Sequence, residues 1–228
     1  MTLTEIKKIN KQLKKPFSKL SFQEKGHIYN VEGEDKKIKS VSSLIKYFYE
    51  EFDTFTVSEK WGKERLINPE LVREAWEGEG LIANTHGTNV HLVGEQYGYH
   101  KYFKTGNCPK IIDKQSLGCI EFFDNLPDYL IPVAFELQMY SPKYLFCGTA
   151  DIILFNTKNK KYYVLDWKTN KTLTDVYNKK SLIGVPNEYK LLQNNLGKYN
   201  LQLNFYMYML KEAGFDVGGA VIIHLRED

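Results

Sequence analysis

Only three of the 228 residues are cysteine, and Cys108, Cys119 and Cys147 show no CxxC spacing. An odd, scattered set builds neither a disulfide framework nor a four-cysteine metal or iron–sulfur site, so the three are read as reduced and mostly buried thiols. No run approaches the roughly 18 consecutive apolar residues of a membrane span. The opening MTLTEIKKINKQLKKP has neither the apolar stretch of a signal peptide nor the arginines of a transit peptide. The expectation is a chain without a membrane partner that stays where it is made, in the cytoplasm. Internal repeats and low-complexity tracts are also missing, which excludes a solenoid. Nor is one sign of charge in excess: 31 Lys and Arg face 28 Asp and Glu, a net of +3, so total charge does not by itself imply a polyanionic partner.

What is present argues for a folded chain. Hydrophobic residues at 43% and aromatics at 14% are too many for a disordered polymer, and 228 residues suit one domain. The charge is unevenly spread. Residues 1–20 carry six lysines against Glu5, residues 156–180 carry seven against Asp166 and Asp175, and residues 50–80 carry nine acids against four bases. A basic side of this kind is what nucleic-acid binding needs, although a solvated face has the same composition.

Alternation over residues 20–40, around a Glu24-Lys25-Gly26 turn and a polar tip, predicts a small β-meander after a basic leader. Ser42 and Ser43 are expected to cap a short helix through Ile45 and Phe48. Apolar spacing is helical from about Thr56 to Phe103, and Gly78, Gly80 and Gly87 are expected to break it into two or three helices. A further helix is expected over 111–125. The runs IPVAFELQMY, YLFCGTADIILF and KYYVLDWK, separated by SPK and NTKNK, read as strands, followed by a helix over 198–213 and a last strand in GGAVIIHL. The predicted fold class is α/β: a central mixed β-sheet flanked by helices, with an N-terminal β-hairpin and a helical extension. Residues 1–228 form one domain, with leader, hairpin and short helix to 55, helices over 56–128, and the sheet with its flanking helix over 129–228.

The chemistry concentrates in GTAD (148–151) and DWK (166–168). A turn centred in NTKNKK pairs Phe155 with Tyr162 and Asp151 with Asp166. Opposed Cβ atoms lie about 4.5–5.5 Å apart, and two carboxylates at that distance repel unless a cation sits between them. Lys168 is two residues beyond Asp166 and so shares its face. A turn centred on Pro142 and Lys143 puts Glu136 opposite Thr149 and diagonal to Asp151. Three carboxylates and a lysine suit Mg²⁺ or Mn²⁺ and phosphodiester chemistry. Chance placement of Asp and Lys at solvated strand ends is the bland alternative.

Asp151 followed by Asp166-Trp167-Lys168 resembles the PD-(D/E)XK nuclease signature. Gly87-Thr88-Asn89-Val90-His91 before the sheet and Gln202-Leu203-Asn204-Phe205-Tyr206 after it resemble the RecB-like exonuclease branch of that superfamily. The resemblance covers roughly Phe22 to Leu225, including a leading Gly26-His27-Ile28-Tyr29, and points to the small stand-alone exonucleases of phages and of mitochondrial genome maintenance. It implies a restriction-endonuclease-like core. It also implies a metal site of His91, Asp151, Asp166 and the Trp167 carbonyl, with Asp151, Asp166 and Lys168 catalytic; Glu136, placed beside them by the register, is a further catalytic candidate. The four cysteines of the iron–sulfur members are lacking, so no cluster is expected.

Glu95, one turn after His91, is the candidate to orient its imidazole. Gln202 and Tyr206 are expected beside the nuclease centre, touching DNA or the lysine, and Lys171 is a further candidate DNA contact. His27, His86, His100 and His224 form no ligand set and are expected on the surface or in hydrogen-bonded core positions. Tyr97, Tyr99, Tyr102 and Phe103, interleaved with Lys101 and Lys104, form a candidate base-stacking ridge. The expected activity is that of a metal-dependent DNA exonuclease acting on single strands or free ends. An endonuclease of the same fold and an inactive DNA-binding module are the alternatives.

Overall fold

The computed structural model describes residues 1–23, 26, 28–174 and 180–227. The expected turn at Glu24 and Lys25, and His27, lie outside the described residues.

The basic leader is a helix. In α1 (Leu3–Lys14), Thr2 and Glu5 form a reciprocal capping box, and Ile6 and Leu13 are buried. Asn10 Nδ2 donates to the Val133 carbonyl at 2.8 Å, fixing α1 along the sheet. Strands β1 (Leu20–Gln23) and β2 (Ile28–Val31) pair antiparallel as a separate hairpin. The predicted meander ends there, because β3 (Lys39–Ser40) joins the main sheet instead, pairing parallel with Phe146 and Cys147. Ser40, rather than Ser42 or Ser43, caps α2 (Val41–Ile45), accepting from the Ser43 N–H at 3.2 Å.

Helix α3 (Thr54–Arg65) ends at Leu66 in the left-handed region, and Pro69 begins α4 (Pro69–Gly98), a single helix of 30 residues. Gly78, Gly80 and Gly87 do not break it. A helical glycine costs only about 1 kcal/mol relative to alanine, which the remaining hydrogen bonds outweigh. The break falls where proline is admitted, at a helix start. A π-helical turn, Tyr99–Phe103, prolongs α4, and α5 (Lys114–Asp124) follows, capped by Asp113.

Strands β4 (Leu130–Ser141), β5 (Phe146–Asn156) and β6 (Tyr162–Lys168) are antiparallel neighbours, and β7 (Val217–His224) adds parallel to β6 after α6 (Asn195–Glu212). The mixed five-stranded sheet separates two apolar layers. One joins Val41 and Ile45 of α2 and Leu203, Met209 and Leu210 of α6 to Ala150, Ile153 and Val164. The other joins Val90 of α4 and Cys119 and Phe123 of α5 to Ile152, Leu165 and Trp167. Cys119 and Cys147 are buried free thiols and Cys108 is exposed. Among the described residues no helix is long and apolar enough to cross a membrane.

Candidate metal centre

The β5–β6 ladder runs from Phe155–Tyr162 to Ile152–Leu165, the register read from the loop length. Asp151 comes next along it, and its Oδ2 accepts the Trp167 N–H at 2.8 Å.

The β4–β5 turn differs from expectation. Ser141 pairs with Phe146 and Gln138 with Thr149, so the turn is centred on Lys143 and Tyr144, and Glu136 moves from opposite Thr149 to beside Asp151. The Leu145 N–H donates to the Ser141 carbonyl at 2.9 Å, and Leu145 takes a φ of 53°, which absorbs the extra residue. Glu136 itself has a φ of 45°, a costly conformation for a residue with a side chain. The consequence is visible in parity. Phe135 and Leu137 are two apart, yet Phe135 lies in the α4–α5 layer and Leu137 in the α6 layer. The strand thus swivels at Glu136 and aims its carboxylate at Asp151.

Helix α4 reaches the sheet through glycines. A Cβ on Gly94 would lie 3.2 Å from Trp167 Nε1 and 3.3 Å from Cys119 Sγ, and one on Gly98 would overlap the Phe135 ring. That close approach brings His91 Nδ1 to 3.4 Å from Asp151 Oδ2. One donor atom from each of His91, Glu136 and Asp151 lies within 4.8 Å of the others. This three-way convergence differs from the expected set: Glu136 stands in it and Asp166 does not. Asp166 is 2% exposed and forms an ion pair with Lys168.

Proton affinities reflect this crowding. Glu136 is exposed as a residue, yet desolvation on its side toward the cluster, then the Asp151, Glu95 and Asp166 carboxylates, push it up to about 8 against the opposing Lys168. Burial and then Asp151 push Asp166 up to about 7. Asp151 is raised by burial, with Lys168 and the Trp167 N–H pulling the other way. Burial and then Lys168 push His91 down to about 4, so its imidazole is neutral at pH 7 and its contact with Asp151 is not a salt bridge. Burial alone would lower Lys168, but Asp166 and Asp151 more than offset it and its pKa is raised. A neutral imidazole beside carboxylates that resist joint ionisation is a donor set suited to a hard divalent cation.

Several expectations are relocated. The Trp167 backbone lies against the His91 ring, and the indole is buried against Phe122 and Phe123. No hydrogen bond among the described residues joins Glu95 to His91. Glu95 instead acts through charge, raising Glu136 and Asp151. Gln202 Nε2 donates to Tyr206 Oη at 2.8 Å as the i, i+4 spacing suggests, but Tyr206 is 4% exposed and packs over Gly148. Tyr206 thus covers the sheet rather than presenting an open ring face, with the half-buried Gln202 as its partner. Lys171 is exposed just past β6. The aromatic ridge is packed inward: Phe103 is buried, Tyr99 stacks near Phe103 and Phe135, and Tyr97 and Lys101 bond Asp124. It offers no free stacking platform.

Tyr199 escaped the sequence reading. Lys168 Nζ lies 4.4 Å from its ring centroid, so the lysine is held between a carboxylate and an aromatic face. The available signal was its position, three residues before Gln202 and seven before Tyr206 on one helix face. His86 and His224 are indeed hydrogen-bonded, to Gln115 and to the Asn170 carbonyl, each at 2.6 Å, and His100 bonds the Gly106 carbonyl at 3.3 Å.

No protein-family model matches the chain, and no curated protein matches it.

Proposed function

We propose that the chain is a divalent-metal-dependent deoxyribonuclease with a restriction-endonuclease-like core, an exonuclease hydrolysing phosphodiester bonds from single-stranded or free DNA ends in DNA processing, recombination or repair. The observation that carries the reading is the convergence of His91, Glu136 and Asp151 within 4.8 Å, with the Asp166–Lys168 pair on the adjoining strand. A bound Mg²⁺ or Mn²⁺ supplies Lewis acidity and a water of lowered pKa. His91, Glu136 and Asp151 would hold it, and the imidazole among them favours Mn²⁺ over Mg²⁺.

Lys168 keeps its proton at neutral pH because Asp166 and Asp151 stabilise the ammonium. It can therefore donate to a phosphate oxygen as charge builds there, a contribution of about 10²- to 10³-fold for one positioned donor. Asp166 and the Tyr199 ring fix its direction. The exposed Lys171 stands ready for a backbone phosphate.

The test is incubation of an end-labelled linear single strand and its circular counterpart with Mg²⁺ or Mn²⁺. Loss of the linear strand alone is the expected result. Loss of both would make the enzyme an endonuclease, and survival of both with retained binding would make the chain a DNA-binding module.

A further inference from the structure

A buried polar chain outside the carboxylate cluster ties together the elements that build it. Gln115 on α5 is 2% exposed, and its Nε2 donates to two carbonyls, Leu225 at 2.7 Å and Thr169 at 3.2 Å. Both N–H groups are thereby used, so Oε1 can only accept. Its partner at 2.6 Å is His86 Nε2, which must carry the proton. The opposite ring nitrogen, Nδ1, faces Asp113 Oδ2 at 3.5 Å, and Asp113 Oδ1 is fixed in turn by the Ser116 N–H at 2.7 Å.

The two carbonyls are at chosen places. Thr169 is the residue after Lys168, where β6 leaves the sheet. Leu225 follows β7, and its own N–H donates to the Lys168 carbonyl at 2.8 Å. Helix α4 contributes His86 five residues before His91, and a Cβ on Gly87 would lie 3.1 Å from Thr169 Oγ1. One side-chain amide therefore joins the helix that carries His91 to the exit of the strand that carries Asp166 and Lys168.

We propose that Gln115, latched by His86, is a positioning residue that sets the height of Lys168 and Asp166 against His91. As a statement about catalysis this rests on the nuclease reading. As a statement about the β6 exit it does not, and the two are separable by experiment. The reporters are the Trp167 amide, bonded to Asp151, and the Leu225 amide, bonded to Lys168. Hydrogen exchange at these amides is compared with that at Ile153 and Val164 in mid-sheet, in the wild type and in Gln115→Leu, His86→Leu and His86→Gln.

In the two leucine variants Trp167 and Leu225 should exchange at least about tenfold faster while Ile153 and Val164 change less than about twofold, since local opening is independent of global unfolding. His86→Gln, which keeps a donor, should restore protection. In parallel, kcat for Mn²⁺-dependent hydrolysis of a single-stranded oligonucleotide should fall at least about tenfold in His86→Leu with KM unchanged. The same change in a Lys168→Ala background should add little, because coupled residues are not additive. Uniform acceleration across all four amides, or none, would overturn the latch. Full additivity with Lys168→Ala would overturn its role in positioning the lysine. A wild-type protein that cleaves nothing, with the exchange pattern as expected, would remove the nuclease reading and leave the latch standing.

Discussion

The two halves of α4 use glycine to opposite ends. In the first half, Gly78 and Gly80 have nothing within 4 Å of where a Cβ would sit, and Leu81 and Ile82 are 69% and 71% exposed. In the second half, Gly87, Gly94 and Gly98 are spaced so that the helix lies directly on Thr169, on Trp167 with Cys119, and on Phe135. His91 sits among the second group. Composition alone does not separate the halves; the surface each faces does. Where helix meets sheet, the absent side chain is what lets the imidazole reach Asp151.

The contrast is broken most forcefully at Gly98. An alanine there must displace Phe135, which is 1% exposed and hemmed in by Tyr99, Phe103 and Phe123. Overpacking of this kind costs about 1–3 kcal/mol. At about 2–4 °C per kcal/mol for a chain of this size, calorimetry should show a clear fall in Tm.

Proton linkage around the carboxylate cluster comes next. Glu136 and Asp166 are raised to about 8 and about 7, so the metal-free folded state binds protons that the unfolded chain has released. Their contribution is complete below the ordinary carboxylate range and is lost as pH rises through the folded values. His91, depressed from 6.5 to about 4, acts in the opposite sense but only as pH falls below 6.5. Between pH 6.5 and 8 the acids act alone, and the Tm of the metal-free protein should decline across that window, with Mn²⁺ reversing the decline. A flat or rising profile would show that the cluster is not crowded enough to hold protons.

Beneath α6, Tyr206→Phe should cost about 1 kcal/mol through loss of the Gln202 hydrogen bond while kcat and KM on a short oligonucleotide stay at wild-type values. A loss of five- to a hundredfold, the size of about 1–3 kcal/mol for a base stack, would return Tyr206 to the DNA path. The smallest effect belongs to the open half of α4. Gly80→Ala should stabilise the protein by about 0.5–1 kcal/mol, the reverse sign of Gly98→Ala, as read from denaturant midpoints.

Much of the sheet was legible because β4, β5 and β6 are apolar runs bounded by turn residues, and because the loop between Phe155 and Tyr162 is short enough to set register. Asp151 and the DWK run follow from that register. Glu136 was misplaced for a local reason: the β4–β5 turn is centred later than Pro142-Lys143, and the positive φ at Glu136 switches strand parity, which no alternation rule anticipates. The lysines of residues 1–20 mask helix α1, although Thr2 and Glu5 carry a capping signal. Tyr206 shows the limit of pattern alone, since an i, i+4 pair is the same sequence whether it faces DNA or a glycine in the sheet. Gln115 carried no signal at all, because its role comes from two carbonyls 54 and 110 residues away.

The central claim is that His91, Glu136 and Asp151 form one cation site. Titration of the metal-free protein with Mn²⁺ at pH 7, by calorimetry or electron paramagnetic resonance, tests it without reference to DNA. A single saturable site should appear in the wild type, vanish in Asp151→Asn and weaken at least about tenfold in both His91→Ala and Glu136→Gln, given that even outer partners of a metal site cost about 10–100-fold. Unchanged Mn²⁺ affinity in His91→Ala and Glu136→Gln, with folding intact, would contradict it.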